Sequence, residues 1–320
     1  MTVRTRRTLG CFIVAALAAG VSLAARQEVT LRYVWPKDEA LRYRMTQQTT
    51  STLSGMPGGM PDINLEQTTT QVIRTVAKDV AADGTATLEQ VIESIQMTMN
   101  LPTGKVAYDS VKPVTATNPI EEMMGRVFGS MVNMPITLIL SSSGVVQKVE
   151  GVTKLAEKVF ANLPSNPQTD QLLGGMKATM SDEGMKATFS QAFTQLPQQA
   201  LKPGDTWKGT YDMPNPALGK MSFGYASTLQ AVENQVAKVQ TKLTITQDAS
   251  APTAMPMGLT AKLGTASGEA EIAFDVAKGR TQKAVSRFVM PISMSGTAPD
   301  GTTMSMTNNA KTTVTIELVQ

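Results

Sequence analysis

The sequence predicts an α+β fold built on a large twisted antiparallel β-sheet, either a half-barrel or two facing sheets, with amphipathic helices from the middle of the chain packed on its dry face. Three observations predict it. Apolar and polar residues alternate in two long stretches near the ends, the middle switches to three- and four-residue spacing, and turn sequences punctuate the alternating parts. The expected layout is a signal peptide over 1–25 and a single β-rich domain over 26–320. Within it lie a β-meander (29–117), a mainly helical segment with a hairpin (118–198) and a second meander (204–320).

In the first meander, Leu31, Tyr33 and Trp35, then Leu41, Tyr43 and Met45, then Val91, Ile95, Met97 and Met99, sit among polar neighbours. Period two puts one face in the core and the other in water. Gly55 to Pro61, Ala82-Asp83-Gly84 and Pro102-Thr103-Gly104 supply the turns. In the middle, Asn118-Pro119 followed by Glu121 and Glu122 reads as an N-cap, a first-turn proline and an acidic first turn. Ile120, Met123, Met124, Val127, Phe128 and Met131 then share one helical face. A hairpin over Ile136–Leu140 and Val145–Val149 precedes a helix marked by Val152, Leu155, Ala156, Val159 and Leu163. A short helix over Leu172, Leu173, Met176 and Met180 follows. Ser181 then caps another, with Met185, Phe189, Ala192, Phe193 and Leu196 on one side and Pro197 as its stop.

The second meander shows cleaner alternation: Met221, Phe223, Tyr225 and Leu229; Val239, Leu243 and Ile245; Ala270, Ile272, Phe274 and Val276; Phe288, Met290, Ile292 and Met294; Val314, Ile316 and Leu318. Strands of a doubly wound parallel sheet would instead read as continuous apolar runs. Ala277-Lys278-Gly279 and Pro299-Asp300-Gly301 are turns, and 249–265 reads as a long loop.

Arg4, Arg6 and Arg7 before an uncharged run from Thr8 to Ala25 have the form of a signal peptide, with Ser22 and Ala24 placing cleavage near Ala24 or Ala25. The protein is therefore expected to be exported, periplasmic or secreted, by the Sec or the twin-arginine route, with no membrane span after cleavage. Of the 29 basic residues, 26 then remain against 26 acidic ones, so the basic charge belongs to the leader and predicts no nucleic-acid partner. Cys11 leaves with it. With no histidine anywhere, a Ser-His-Asp triad and every His-containing metal site are excluded, and one cysteine makes no redox pair. No cofactor and no enzymatic activity are expected.

The 21 methionines are the remaining anomaly. The strand pairs Met97/Met99 and Met304/Met306 could each turn two thioethers toward one copper(I) ion. Flexible methionines also fill irregular cores, or line an adaptable cavity for an apolar guest. Under the cavity reading, Met123, Met124, Val127, Met131, Met185, Phe189, Phe288, Met290 and Met294 are the candidate ligand-binding residues between helices and sheet.

Ala82-Asp83-Gly84-Thr85-Ala86, Ser143-Gly144-Val145-Val146 with Gly151, Leu196-Pro197, Lys202-Pro203-Gly204-Asp205-Thr206-Trp207 and the run from Gly268 to Arg280 together resemble a family of exported bacterial proteins classified only as a domain of unknown function. The resemblance implies kinship of fold and carries no catalytic residue across. In architecture alone the chain is also similar to half-barrel carriers of lipoproteins and lipids in bacterial envelopes, an analogy that leaves function open. The expected partner, from the space between helices and sheet, is a hydrophobic small molecule, a lipid or a lipidated envelope protein. The alternatives are an interaction module with a filled core and methionine-based copper(I) binding.

Overall fold

A computed structural model describes residues 28–56, 60–102, 104–112, 116, 118–161, 180–215, 218–248, 259–297 and 303–319. The signal peptide with Cys11, the short helix expected around Leu172, Leu173 and Met176, and the Pro299-Asp300-Gly301 turn lie outside the described residues.

The first meander folds as β1 (Ala40–Ser54), β2 (Ile63–Val80), β3 (Ala86–Leu101) and β4 (Gly104–Asp109). Helix α1 (Pro119–Met131) follows, then β5 (Pro135–Leu140), β6 (Val146–Glu150), α2 (Val152–Ala161) and α3 (Asp182–Ala192). The second meander is β7 (Thr206–Asn215), β8 (Gly219–Glu233), β9 (Val236–Gln247), β10 (Thr260–Leu263), β11 (Ala266–Asp275), β12 (Arg280–Thr297) and β13 (Thr303–Val319). Local chemistry accounts for the helix starts. The Asn118 side chain accepts from the Glu121 N–H with Pro119 behind it, and the Ser181 hydroxyl accepts from the Gly184 N–H. Helix α3 ends at Ala192, earlier than Pro197 implies, because Phe193 turns to an extended conformation and the chain leaves to meet the sheet.

All thirteen strands belong to one antiparallel sheet, ordered β6-β5-β3-β2-β1-β13-β12-β11-β9-β8-β7, with β4 beside β3 and β10 beside β12. The two meanders are joined at the centre by their outermost strands in sequence: β1 pairs with β13 from Arg42 opposite Val319 to Ser54 opposite Thr307. The edges, β6 and β7, are both contacted by α3, so the sheet curls until one helix reaches both margins. One face carries the apolar phase. The other bears Arg42, Arg74, Lys78, Glu89 and Glu93, which interlock through ion pairs of 2.9–3.9 Å.

The main core gathers Leu88, Leu138, Leu140, Leu229, Phe274 and Trp207 from the strands with Val152, Leu155 and Val159 of α2. Into it runs the segment before β1. Leu31, Tyr33 and Trp35 alternate as a strand would and are buried to 0%, 4% and 7% exposure, yet the expected first strand is a strap without a ladder. Its hydrogen bonds go to separate parts of the sheet. Val29 exchanges two with Leu201, the Tyr33 N–H donates to Ser142 O in the β5–β6 turn, and the Val34 N–H donates to Gly279 O in the β11–β12 turn. The Tyr33 ring stacks on Trp35 and meets Phe193 and Phe274 edge-on at 5.9 and 5.4 Å. One cost is visible. The Trp35 indole N–H is buried with no acceptor among the described residues.

Two turns are shaped to receive the strap. Gly144 has φ of +83°, and a Cβ there would collide with Thr194 O and the Tyr33 ring. In the other turn Asp275 accepts from the Lys278 N–H at 2.9 Å and the Gln282 amide at 3.1 Å, holding Gly279 in place. Burial pushes the Asp275 carboxyl up, but these hydrogen bonds and the Lys278 charge outweigh it and leave it below the usual carboxylate value.

Gly144→Ala is expected to lower stability by about 2–3 kcal/mol, against about 1 kcal/mol for Gly204→Ala, because Gly204 shares a positive φ but has open space around it. Urea midpoints of the two variants measure the difference. Because Asp275 titrates lower in the folded chain than in the unfolded one, its contribution is complete above about pH 4 and is lost as pH falls through the depressed value. Asp275→Asn should therefore flatten the acid limb of a stability–pH curve and leave its alkaline limb unchanged.

Candidate functional site

The apolar face is not covered evenly. Beyond the strap and helices, Tyr43, Met45 and Gln47 of β1, Val314 and Ile316 of β13 and Ala284, Ser286 and Phe288 of β12 are only half-buried. Their register places them side by side: Met45 lies opposite Ile316, which lies opposite Ala284. A recess opens here, between the end of α3 and strands β7 to β13, with Phe193, Tyr211, Leu243 and Phe288 among its walls. Its volume is about 100 Å³, room for about three waters and below the roughly 300–1,000 Å³ of typical ligand pockets. A guest larger than that must extend along the open face.

Polar groups at the recess are placed by neighbours. Ser227 of β8 and Thr241 of β9 face each other in register, buried, with their hydroxyls 2.8 Å apart. The Tyr225 phenol lies across Gly209 of β7, so close that any Cβ there would strike the ring, and donates to Gln195 Oε1 at 3.0 Å. Gln195 in turn accepts the Trp207 indole N–H on its carbonyl at 2.8 Å. Tyr211 stacks on Phe223 with ring centres 5.0 Å apart. Burial, with the neighbouring Tyr225, pushes the Tyr211 phenol up to about 12, and burial raises Tyr225 as well. Both phenols remain neutral hydrogen-bonding groups at physiological pH.

Past Phe288 the face continues into a second apolar cluster, where Leu218, Met221, Phe223, Ile245, Leu263 and Ala266 are buried with Met290, Ile292 and Met294 beside them. Here the sheet divides. The β9–β11 ladder ends with Ile245 opposite Ala266, whereas β10, just upstream of β11, pairs only with β12. The segment expected to be loop throughout 249–265 thus contains a strand, Thr260–Leu263, because Ala261 and Leu263 alternate inward opposite Met294 and Ile292. A cleft of about 650 Å³ lies between Thr244–Gln247 and Thr260–Ala266. The Gln247 side chain bridges it, accepting from the Leu263 N–H at 2.7 Å and donating to Ala261 O at 3.2 Å and Leu218 O at 2.9 Å.

The nine candidate ligand-binding residues fall into three groups. Phe288, Met290 and Met294 flank the second cluster, and Phe288 also lines the recess. Val127, Met131, Met185 and Phe189 pack against the main core. Met124 is buried in a third cluster with Met97 and Val106, while Met123 is half-exposed on α1, outside the stripe assigned to it. The 13-residue helix carries more apolar residues than one face can bury, and Met123 is directed to solvent. Met97 and Met99 share the third cluster on β3; Met304, buried, and Met306 lie on β13, with β2 and β1 between the two pairs.

Sequence reasoning missed Gln195, Tyr211, Ser227, Thr241 and Gln247. Ser227 falls between Tyr225 and Leu229, and Thr241 between Val239 and Leu243, so each is a polar residue in the apolar phase of its strand. That mismatch was a usable signal. Gln247 offered none, since its role depends on where the sheet divides.

Comparison with curated proteins finds no match. Among solved structures, "Lipid-protein interactions in lipovitellin" aligns with 89% of this chain at 9% identity and a TM-score of 0.42; the chain spans 25% of the length of that protein. An outer membrane channel from Pseudomonas putida F1 aligns over 89% of this chain and 97% of its own, at 6% identity and a TM-score of 0.26. DynF from the dynemicin biosynthesis pathway of Micromonospora chersina aligns over 91% and 85%, at 8% identity and a TM-score of 0.21. These low scores carry no functional assignment. A family match does extend over residues 83–281, from the β2–β3 turn to the start of β12, taking in the cleft and the part of the recess that precedes β12, and the chain belongs to that family, described as "Family of unknown function (DUF6263)".

Proposed function

We propose that this is an exported, non-enzymatic protein of the cell envelope that holds a hydrophobic guest, a lipid or the acyl chain of a lipidated partner, against the exposed part of its apolar face. In this reading α2 and α3 with the strap form a fixed cover at one end of the sheet, and the guest lies beyond them, from the recess toward the second cluster. The observation that carries it is the continuity of half-buried apolar surface from Phe193 and Tyr211 through Phe288 to Met290 and Met294, edged by neutral hydrogen-bonding groups rather than charges. A long apolar guest gains about 0.8 kcal/mol for each methylene removed from water, and methionines adapt to chains of different shape. Placement in a membrane as a barrel is disfavoured by the opposite face, where Arg42, Arg74, Lys78 and Arg287 would meet lipid.

Native mass spectrometry of protein purified from the compartment to which its own cells export it should show an added mass that organic extraction removes. Ligand-free protein in every preparation, with no uptake of long-chain probes, contradicts the proposal. Gly209→Val, which drives the Tyr225 ring out of its place over β7, should weaken uptake of such a probe about tenfold, ~1.4 kcal/mol, while the far-ultraviolet circular dichroism stays that of the parent. A titration of probe fluorescence measures the ratio.

A further inference from the structure

A polar island interrupts the apolar phase at the middle of the sheet. Register places Thr312 of β13, Thr49 of β1 and Gln67 of β2 side by side, with Phe288 of β12 at one end of the row and Met99 of β3 at the other. In the adjoining row of the same face Gln47 of β1 lies opposite Thr69 of β2, and Met45 and Ile316 close the island on the side of the main core. These five polar residues are all half-buried. Their hydrogen bonds run among themselves: the Gln47 amide donates to the Thr49 hydroxyl at 3.4 Å, the Gln67 amide donates to the Thr69 hydroxyl at 3.2 Å, and the Thr49 and Thr312 hydroxyls lie 3.1 Å apart. A side-chain amide carries two protons and a carbonyl oxygen, so each glutamine keeps donor and acceptor capacity for another group.

Charge is sorted to the other face. Along this stretch Arg44, Glu66, Lys283, Arg287, Lys311 and Glu317 all occupy the opposite phase of β1, β2, β12 and β13. A carboxylate, phosphate or ammonium head laid on the island would therefore lose water without gaining a counter-charge. A peptide strand finds no ladder to join, since β2, β1 and β13 are each paired on both sides. A sugar head fits. Its hydroxyls donate and accept as the island's amides and hydroxyls do, and the Phe288 ring beside Thr312 offers an apolar plane to the C–H face of a pyranose. A few placed polar groups within an apolar lining are also what orients a ligand.

We propose that the island binds the uncharged sugar head of a glycolipid, whose alkyl chain runs from Phe288 toward Met290 and Met294. The inference rests on the hydrophobic-guest reading and deepens it by naming the head group and its place.

Calorimetric titration of the mature protein with amphiphiles that share a dodecyl chain, each below its micelle concentration, tests it. Dodecyl maltoside should bind about tenfold more tightly than dodecylphosphocholine, dodecyl sulfate or the octaethylene glycol ether, whose head accepts hydrogen bonds and donates only at its end. Thr49→Val with Thr312→Val replaces both facing hydroxyls by methyl groups of the same shape, so neither is orphaned and the strands are kept. That pair should lower maltoside affinity about tenfold and leave the ether unchanged. Equal affinity for all heads, preference for a charged one, or the same loss for maltoside and ether in the variant would overturn the sugar assignment and leave the hydrophobic-guest reading standing. No binding of any of them would overturn both. Maltose bound as tightly as dodecyl maltoside would overturn the glycolipid in favour of a free sugar. Should the double variant fail to fold, Gln67→Met and the head-group series in the parent decide.

Discussion

A curled sheet with two free margins must be held at some point, and in this protein the hold is the strap from Val29 to Trp35. Leu31, Tyr33 and Trp35 enter the core from a segment that belongs to no ladder, and their backbone reaches Leu201 beside β7, the β5–β6 turn and the β11–β12 turn. The hairpin of the middle segment, the approach to β7 and the second meander are thereby fastened to one short stretch. Burial of a large apolar side chain contributes about 1.5–3 kcal/mol, so three of them supply a substantial share of the few kcal/mol by which a domain is stable. The aromatic contacts of Tyr33 with Phe193 and Phe274 add direction to that burial, because edge-on rings fix where the ends of α3 and β11 stand.

Closure at one end explains the openness elsewhere. The segment that leaves α3 is tied to both margins, through the Leu196 N–H to Ser143 O on the β6 side and the Trp207 indole to Gln195 O on the β7 side. With the margins drawn together there, the central strands β12, β13 and β1 keep their apolar phase half-buried for much of their length. A surface of that kind is unusual in a monomer and commonly marks a binding face. Gly209, Tyr225 and Gln195 show how finely one part of it is set, since a missing side chain on β7 makes room for the phenol that reaches Gln195.

Much of the fold was legible because period-two alternation is a direct consequence of strand geometry. The strands through Met221, Val239, Ala270, Phe288 and Val314 stand where their alternation places them, as do the Asn118 and Ser181 caps. What local pattern lacks is partnership. Leu31, Tyr33 and Trp35 alternate whether they join a ladder or run as a strap, and nothing in β1 or β13 announces that the first and last strands pair. The extent of strand β7 was hidden because Gly209 interrupts its apolar phase, and β10 was hidden because four residues beside a proline-rich stretch resemble loop. For the candidate site, Phe288, Met290 and Met294 were readable as apolar residues of the inner face. The methionines of α1 were readable as a stripe but not as members of separate clusters, which only the course of the chain decides.

The central claim is that the strap locks the closed end and that the open face is a consequence of that lock. Native-state hydrogen exchange tests it at named amides. If the strap holds the sheet together, the Tyr33, Val34 and Leu196 N–H groups, bonded to Ser142, Gly279 and Ser143, exchange only with global unfolding, at the same opening free energy as the amides of β1 and β13. Exchange of these three groups at a much lower free energy, with the β1–β13 ladder still protected, would mean that the sheet keeps its shape without the strap, and would contradict the account.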